Sequence, residues 1–309
     1  MARSDFVHLH THTEYSMLDG AASNERLFAE VARQGMPAVA MTDHGNMFGA
    51  YEFFQIAKKY DGNENPLVKP IIGIEAYVAP SSRHSRKQEF WGRRRGDGGD
   101  PDVEGGKDVS GGGRYTHMTM WARNPTGLHN LFTLSSLASY EGYYMKPRMD
   151  REIISQYNEG VIASTGCPSG EVQTRLRLGQ FDEAVEAAGA YQEIFGKDHY
   201  FCELMDHGVP IERQVRSDLL RLAKKIDAPL LLTNDSHYVN EDDADAHDSL
   251  LCVGVGRNKD DPNRFRFNGS GYYIKSSDEM RSLFPDMPEA ADNTLALTEM
   301  IESYDDVFA

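Results

Sequence analysis

Short apolar strands alternate with helical segments along most of this 309-residue chain. The strand-like segments lie at residues 6–13, 38–41, 70–74, 115–120, 161–165, 200–205 and 229–233. The helical segments between them lie at 24–34, 46–60, 126–139, 169–178, 181–195 and 211–226. Near-continuous apolar strands that alternate with helices indicate parallel β-structure covered by helices. The sequence therefore predicts an α/β fold, a distorted (β/α)7 TIM-like barrel.

Side chains that bind metals stand at or near the ends of these strands. The first strand carries His10 and His12, whose i and i+2 spacing places both imidazoles on one face of an extended segment. Later segments carry His44, Glu75, His117, Cys167, His207, Asp235 and His237. In (β/α) barrels the reactive groups gather at the C-terminal ends of the strands. The pattern predicts a metal site there, although the first pair taken alone also fits ordinary hydrogen-bonded histidines.

Three cysteines, with no secretory signal and no apolar run of membrane length, predict a reduced, cytoplasmic protein. Cys202 and Cys252 belong to apolar runs and are predicted to be buried hydrophobic side chains. Cys167 differs because it ends a strand in a Gly-Cys-Pro turn, where its thiol is expected to face the rim. Because so many metal-type residues share this edge, serine or cysteine nucleophile chemistry is disfavoured.

The net charge of −16 is unusual for a protein that binds DNA. One basic segment opposes this trend, with Phe90 and Trp91 interleaved and Glu89 its only acid. Its cations are Arg83, Arg86, Lys87, Arg93, Arg94 and Arg95. The stretch 96–113 that follows is rich in Gly, Asp and Ser and is predicted to be a mobile loop. The basic segment either serves solubility or a protein contact, or contacts the phosphate backbone of single-stranded DNA near the metal site.

The motifs that carry these residues resemble those of the polymerase and histidinol phosphatase (PHP) family. They are His10-Thr11-His12 with Asp19, Thr42-Asp43-His44-Gly45, residues 73–77, Tyr115-Thr116-His117, residues 166–171 and residues 233–237. Within that family, residues 14–20, 45–49, 261–265 and 271–275 are similar to the N-terminal domain of the bacterial replicative polymerases, the DNA polymerase III alpha subunits. The resemblance covers about residues 5–302.

The resemblance implies nine metal ligands: His10, His12, Asp19, His44, Glu75, His117, Cys167, Asp235 and His237. It places His10, His12, Glu75 and Asp235 on one ion, Glu75, His117 and Cys167 on a second, and Asp19, His44 and His237 on a third. Glu75 would bridge two ions, and Asp19, Glu75 and Asp235 are the expected catalytic residues. His8 is not expected to be a ligand, and His207 is expected near the site rather than on a metal.

Imidazole, carboxylate and thiolate together favour zinc, with manganese or iron as alternatives. Nine ligands exceed the needs of one tetrahedral ion, so two to three ions are expected, an arrangement that suits phosphoester hydrolysis. The resemblance implies a metal-dependent 3′→5′ exonuclease that proofreads by hydrolysing phosphodiester bonds. The alternatives are a metal-bound structural module of a polymerase, without hydrolysis of its own, and a stand-alone phosphoesterase.

Residues 1–275 are predicted to form the PHP domain, and 276–309 a helical segment leading toward an absent polymerase module. Nothing in the chain resembles the acidic catalytic motifs of that module, so we expect an excised domain that does not itself copy DNA. The implied partners are a single-stranded DNA 3′ end, the remainder of the alpha subunit and, through the full-length protein, the sliding clamp and other replisome subunits. No membrane partner is expected.

Overall fold

The computed structural model of the chain describes residues 4–92 and 109–308. The chain divides into two compact units. Unit 1 comprises Met1–Ile74, Leu204–Val209 and Leu231–Ala309, and unit 2 comprises Glu75–Glu203 and Pro210–Leu230. Arg93, Arg94 and Arg95, together with most of the loop predicted at 96–113, lie outside the described residues.

The elements of the described residues follow a β/α order. The strands are β1 (Ala38–Met41), β2 (Lys69–Val78), β3 (Thr116–Ala122), β4 (Arg148–Met149), β5 (Val161–Ser164), β6 (Tyr200–Leu204) and β7 (Leu230–Leu232). The helices are α1 (Asn24–Arg33), α2 (Ala50–Ala57), α3 (Ser110–Gly113), α4 (Pro125–Tyr140), α5 (Arg151–Gln156), α6 (Glu171–Arg177), α7 (Phe181–Phe195), α8 (Pro210–Ile226), α9 (Ala244–Val255), α10 (Ser277–Leu283), α11 (Pro288–Met300) and α12 (Asp305–Phe308). The sheet order is β1-β2-β3-β5-β6-β7, with β4 beside β2.

Unit 1 contains the first predicted strand in an irregular form. Residues 6–13 are held by isolated parallel bridges, from His8 to Val39 of β1 and from Thr11 to Ser236 after β7, rather than by a continuous ladder. Their apolar side chains are nevertheless fully buried, as are all four side chains of β1. The segment therefore lies between β1 and the residues that follow β7, which is the position that an extended strand would take.

Unit 2 departs from the expected parallel arrangement at one strand. β3 runs antiparallel to β5, with Met120 opposite Ala163, whereas β5 and β6 are parallel. The Thr116 hydroxyl at the start of β3 donates to the carbonyl oxygen of Val78 at the end of β2, at 3.5 Å. A parallel strand would need a crossover that returns the chain to the other end of the sheet. His117 therefore lies at the beginning of its strand, not near its end as the sequence predicts.

Most predicted helices are present within a few residues of their expected bounds. Helix α2 begins at Ala50 rather than at residue 46, because the Asn46 side chain accepts a hydrogen bond from the Phe48 amide and forms a turn instead. Helices α5 and α9 are not among the predicted segments. Among the residues that the structure describes, no helix combines the length and apolar character needed to cross a bilayer.

The segment 276–309 contains the three short helices α10, α11 and α12. Helix α10 begins with a capping box, in which the side chains of Ser276 and Glu279 each accept from the other residue's backbone amide. Helix α11 packs inside unit 1, where the Thr294 hydroxyl oxygen accepts a hydrogen bond from the Val7 amide at 3.1 Å. The domain boundary at residue 275 stays a prediction.

His8 is fully buried, and its Nε2 lies 2.8 Å from the carbonyl oxygen of Lys275. Burial lowers the pKa of His8 from 6.5 to about 4. The unfolded chain therefore binds more protons than the folded protein between these two values. The contribution of His8 to the free energy of unfolding is therefore complete above pH 6.5. It is lost as the pH falls toward 4, by up to about 3 kcal/mol.

We expect the variant His8→Gln to lose less unfolding free energy than the parent protein between pH 6.5 and pH 4, because its amide can still donate to Lys275 but does not titrate. Urea denaturation at four pH values in the presence of chelator measures this difference. The exposed His129 of α4 provides the control variant His129→Gln. The free energy of unfolding of this variant should change with pH as it does in the parent protein. Equal slopes for His8→Gln and the parent would contradict the expectation.

Candidate metal centre

Six of the nine predicted ligands meet in unit 1. His10 and His12 belong to the segment 6–13, and His44 follows β1. Asp19 lies on the loop after the first segment, where Gly20 allows a close approach to the Thr13 carbonyl oxygen. A Cβ at position 20 would stand 2.1 Å from that oxygen. The remaining two, Asp235 and His237, follow β7, and Asp235 adopts a left-handed backbone with φ of 43°.

Asp235 stands between the two histidines of the first segment. Its Oδ1 lies 3.3 Å from His10 Nε2 and 3.0 Å from His12 Nε2. The Nδ1 of His237 lies 3.8 Å from the same oxygen. Three imidazole nitrogens therefore surround one carboxylate oxygen, and only the Asp235 side chain, at 16%, retains appreciable exposure.

Asp19 lies close to His44 and also to His237, which therefore lies near both carboxylates. Its Oδ2 lies 2.8 Å from His44 Nε2, and its Oδ1 lies 3.8 Å from His237 Nε2. Among the described residues, neither of the last two atoms has a hydrogen-bond partner, although both are buried. Two donor atoms on one tetrahedral ion stand about 3.4 Å apart when each bond is about 2.1 Å. The two atoms thus have the separation and the unmet bonding capacity of ligands to a shared cation.

The electrostatics of this cluster favour a cation. Burial, followed by the neighbouring imidazoles of His44 and His237, lowers the pKa of His12 to about 3, so this ring is neutral at pH 7. Burial alone would raise the pKa of Asp19, but the hydrogen bond from His44 and the nearby imidazoles hold it well below its usual range. The pKa of Asp235 is lowered in the same way, by His10 and His237, against the effect of burial. A neutral His12 imidazole beside two ionised carboxylates offers the types of donor atom that zinc prefers.

Unit 2 brings the other three predicted ligands together. His117 Nδ1 lies 3.0 Å from Glu75 Oε1, and Cys167 Sγ lies 3.2 Å from the same oxygen and 3.6 Å from His117 Nδ1. Glu75 comes from β2 and His117 from the start of β3. Cys167 stands in the turn after β5, which Gly166 makes possible by adopting a φ of +76°. Imidazole, carboxylate and thiolate atoms at these separations can hold one metal ion. The bridging role expected for Glu75 stays a prediction.

A buried hydrogen-bond relay, which the sequence reasoning missed, orients one of these histidines. The Ser16 hydroxyl donates to Asp43 Oδ1 at 2.7 Å, so its oxygen is free to accept from His12 Nδ1 at 2.9 Å. The Thr13 amide and hydroxyl also donate to Asp43, at 2.7 and 2.8 Å. The proton of His12 is thereby assigned to Nδ1, which leaves a lone pair on Nε2 facing Asp235. The only signal in the sequence was the acidic residue immediately before His44.

A second supporting histidine lies on α9. His247 Nε2 donates to the backbone carbonyl oxygen of Asp19 at 2.7 Å, and its ring packs against that of His237. The sequence reasoning did not select His247, because it stands within a helix rather than at the end of a strand. Its hydrogen bond holds the backbone of the Asp19 loop in place.

The residues weighed as doubtful ligands have other partners. His8 is bonded to Lys275, as described above. His207 Nε2 lies 2.7 Å from the Asn234 carbonyl oxygen, and its ring stacks on Tyr272 at 4.0 Å. Cys202 and Cys252 are buried free thiols, and burial raises the pKa of Cys202 to about 12.

The predicted DNA-contact residues separate into two groups. Arg83 is buried, and its guanidinium donates to Asp150 at 3.0 Å, to Glu141 at 2.7 Å and to Glu152 at 2.9 Å. Because these carboxylates bind its guanidinium in the protein interior, Arg83 is not available to contact a phosphate. Arg86 and Lys87 are exposed. Arg93, Arg94 and Arg95 lie outside the described residues.

The fold and the two clusters define an α/β domain whose side chains are able to bind metal. Its sequence matches the PHP domain family over residues 8–207, and the chain belongs to that family. This membership, together with the β/α order of the elements, confirms the predicted fold class.

Within the family, the chain is similar to DNA polymerase III alpha subunits. It is 61% identical over 305 residues to that of Saccharopolyspora erythraea, across 98% of this chain and 25% of that protein. It is 56% identical over 309 residues to that of Mycobacterium tuberculosis, across 99% of this chain and 25% of that protein. The chain thus spans about a quarter of the length of these relatives.

Among solved structures, the chain is similar to the histidinol phosphate phosphatase of Lactococcus lactis, which is complexed with zinc, L-histidinol and phosphate. The TM-score is 0.40 and the sequence identity is 14%. The match covers 82% of this chain and 95% of that chain.

We expect Ser16→Ala to weaken zinc binding by about 10- to 100-fold, because His12 loses the acceptor that fixes its tautomer. Competition with a chromophoric zinc chelator measures this affinity. NMR of the metal-free protein with ¹⁵N-labelled histidine should also show the Nδ1–H form of His12 in the parent and a mixture of tautomers in the variant. The control is Ser136→Ala, on the exposed face of α4. An unchanged affinity and an unchanged tautomer would contradict the relay.

Proposed function

We propose that this chain is the PHP domain of a DNA polymerase III alpha subunit and acts as a metal-dependent 3′→5′ exodeoxyribonuclease. One observation carries the proposal: buried Asp19 Oδ1 and His237 Nε2 face each other at 3.8 Å without hydrogen-bond partners among the described residues. Such a pair is costly to bury unless a cation joins it. Because the chain belongs to the PHP family, we propose that the cation serves phosphoester hydrolysis.

The proposed cofactor is zinc, with two to three ions per chain and with manganese or iron as the alternatives. When bound, divalent cations supply the Lewis acidity that activates water and neutralises the charge of a phosphodiester under attack. In unit 1 the residues that would hold them are His10, His12, Asp19, His44, Asp235 and His237. In unit 2 they are Glu75, His117 and Cys167.

The chain's own carboxylates have the exposure that a reaction with a polymer end requires. The Asp19 side chain is 29% exposed and that of Asp235 is 16% exposed, whereas His10 and His12 are closed to solvent. An attacking water can therefore reach the carboxylates but not the inner imidazoles. Asp19 and Asp235 can orient that water by accepting its hydrogen bonds. Glu75 is nearly inaccessible, so we propose that in unit 2 it takes part in catalysis by holding a cation.

The proposed substrate is the 3′ end of single-stranded DNA, as at a mispaired primer terminus. The similarity to polymerase alpha subunits supports this choice over a small phosphate ester. Exposed Arg86 and Lys87 are candidate contacts to its phosphates. The other proposed partners are the remainder of the alpha subunit and, through it, the sliding clamp and replisome subunits.

A metal-bound structural module is the second candidate function, and burial of the ligands favours it. His10 and His12 are nearly inaccessible in unit 1, and so is Glu75 in unit 2. A cation held by either cluster would therefore stabilise the fold of that unit whether or not hydrolysis follows. A stand-alone phosphoesterase would use the same residues on a small substrate. Separating these possibilities requires metal content, stability and hydrolysis to be measured on the same variants.

We expect two to three ions per chain, mostly zinc, in protein purified without added metal. Elemental analysis measures this stoichiometry. Asp235→Asn should lower it, because its carboxylate oxygen is the atom that three imidazoles surround. The matched control is Asp242→Asn, at an exposed position of the same unit. Fewer than one ion per parent chain would overturn the two-cluster assignment.

We expect Asp19→Asn to reduce removal of a 3′-mismatched nucleotide by at least about 100-fold, while the far-ultraviolet circular dichroism remains that of the parent. The substitution removes a partly exposed charge without leaving a cavity, so the fold is retained. The measurement is digestion of a 5′-labelled oligonucleotide with and without chelator, again with Asp242→Asn as control. If the parent binds metal but digests nothing, or if Asp19→Asn digests as fast as the parent, the structural module replaces the exonuclease.

A further inference from the structure

The loop that follows α4 in unit 2 is a tight, strained hairpin. The Tyr144 amide donates to the Lys146 carbonyl oxygen at 3.0 Å, and Met145 at its tip has a φ of 67°. A side chain other than glycine in this left-handed region costs free energy, and such residues concentrate at functional sites. Tyr140, Tyr143 and Met145 are 88%, 59% and 64% exposed, respectively. The end of α4 and the loop after it therefore present large side chains to solvent, and the loop has an unfavourable backbone conformation at Met145.

A buried arginine holds the base of this hairpin. The Arg148 guanidinium donates to the carbonyl oxygens of Gly142 at 3.0 Å, Arg114 at 3.1 Å, Arg83 at 2.9 Å and Ser85 at 2.7 Å. Burying a guanidinium is favourable only when its donors are satisfied. These four bonds fix the hairpin to the 83–86 segment. The exposed aromatic residues thus stand on a preorganised base.

Positive charge surrounds one aromatic side chain of this surface, that of Tyr144. The guanidinium carbons of Arg86, Arg114 and Arg148 lie 5.7, 5.5 and 5.1 Å from the centre of the Tyr144 ring. Glu141 is the adjacent acid, and the Arg83 side chain binds its carboxylate at 2.7 Å. Among the described residues, three guanidinium groups thus stand beside one ring, in a chain whose net charge is −16. The surface therefore complements a polyanion.

A chain of ring contacts connects this surface to the unit 2 cluster. Lys146 Nζ lies 5.3 Å from the centre of the Tyr77 ring. The Tyr77 ring packs edge-on against His117 at 5.2 Å, and Tyr115 stacks on the same imidazole at 5.8 Å. His117 is bonded in turn to Glu75. A ligand on the hairpin would reach the candidate metal ligands of the same unit.

We propose that residues 140–146, with Arg86 and Arg114, form a platform that binds single-stranded nucleic acid. Unstacked bases pack on the exposed rings of Tyr140 and Tyr143, and the cations contact phosphates. Aromatic side chains interleaved with cations are the arrangement by which proteins hold single strands, because every base offers a face for stacking. An acidic peptide would use the cations but not the rings, and duplex DNA keeps its bases stacked and unavailable. That the bound strand ends at the Glu75 cluster rests on the function proposed above.

The test measures binding alone, so that it does not depend on hydrolysis. A 5′-fluorescein dT12 is titrated with the full chain in chelator, and anisotropy gives Kd at several KCl concentrations. We expect the double variant Tyr140→Ala/Tyr143→Ala to bind at least about fivefold more weakly, the effect of losing one stacked base, with an unchanged salt dependence. Lys146→Ala should instead reduce the slope of log K against log salt by about 0.7.

Matched substitutions provide the controls. Tyr51→Ala removes a tyrosine that is 61% exposed in unit 1, and Lys224→Ala removes an exposed lysine of α8, and both should bind as the parent does. Unlabelled dT12 should compete better than a duplex of equal length or an oligoglutamate of equal charge. The platform is refuted if the double tyrosine variant binds dT12 as tightly as the parent, or if the duplex or the oligoglutamate competes equally well. Binding of dT12 in chelator, together with no digestion by the metal-loaded chain in the exonuclease assay described above, would support the platform and refute only the exonuclease.

Discussion

The parallel bridge between Thr11 and Ser236 is the contact on which the unit 1 metal centre depends. The His12 amide donates to the Ser236 carbonyl oxygen at 2.7 Å, and the Ser236 amide donates to the His10 carbonyl oxygen at 3.1 Å. His10 and His12 flank Thr11 on one face of an extended segment. Asp235 and His237 flank Ser236 on the other side of the bridge, and Asp235 has a left-handed backbone. One bridge therefore sets the pair His10 and His12 opposite Asp235 and His237, although the chain distance between His12 and Asp235 is 223 residues.

This arrangement has an energetic consequence that extends beyond the ligands. The pKa values of Asp19 and Asp235 are held below their usual range in a largely buried cluster, so both carboxylates are ionised. A cation bound there would lower the free energy of the folded state relative to the unfolded chain. A cation held by Glu75, His117 and Cys167 would act in the same way in unit 2. Metal binding and folding are consequently linked, and a loss of activity on removing metal means little unless stability is measured with it.

Much of the fold could be predicted from the sequence because apolar runs and helix periodicity are local properties. Such local patterns predict the bounds of β1 and α7. They also predict that ligand-type residues gather at strand ends. The direction of β3 could not be predicted, because it depends on how the chain returns after β2. That reversal brings the first residues of β3 beside the residues that follow β5, which is why His117 meets Cys167. The Ser16–Asp43 relay was equally hidden, since neither residue type signals which imidazole it will orient.

The basic segment illustrates best why charge read from a sequence does not give the function of each residue. Arg83 and Arg86 are three residues apart and look equivalent in the sequence. Arg83 is buried because acids 58 and 67 positions further along the chain fold back onto it, whereas Arg86 remains exposed beside Tyr144. Buried Arg83 neutralises Glu141 and so removes the acid that would otherwise repel a polyanion from the exposed surface. The interior arginine therefore contributes to the surface charge without contacting any ligand.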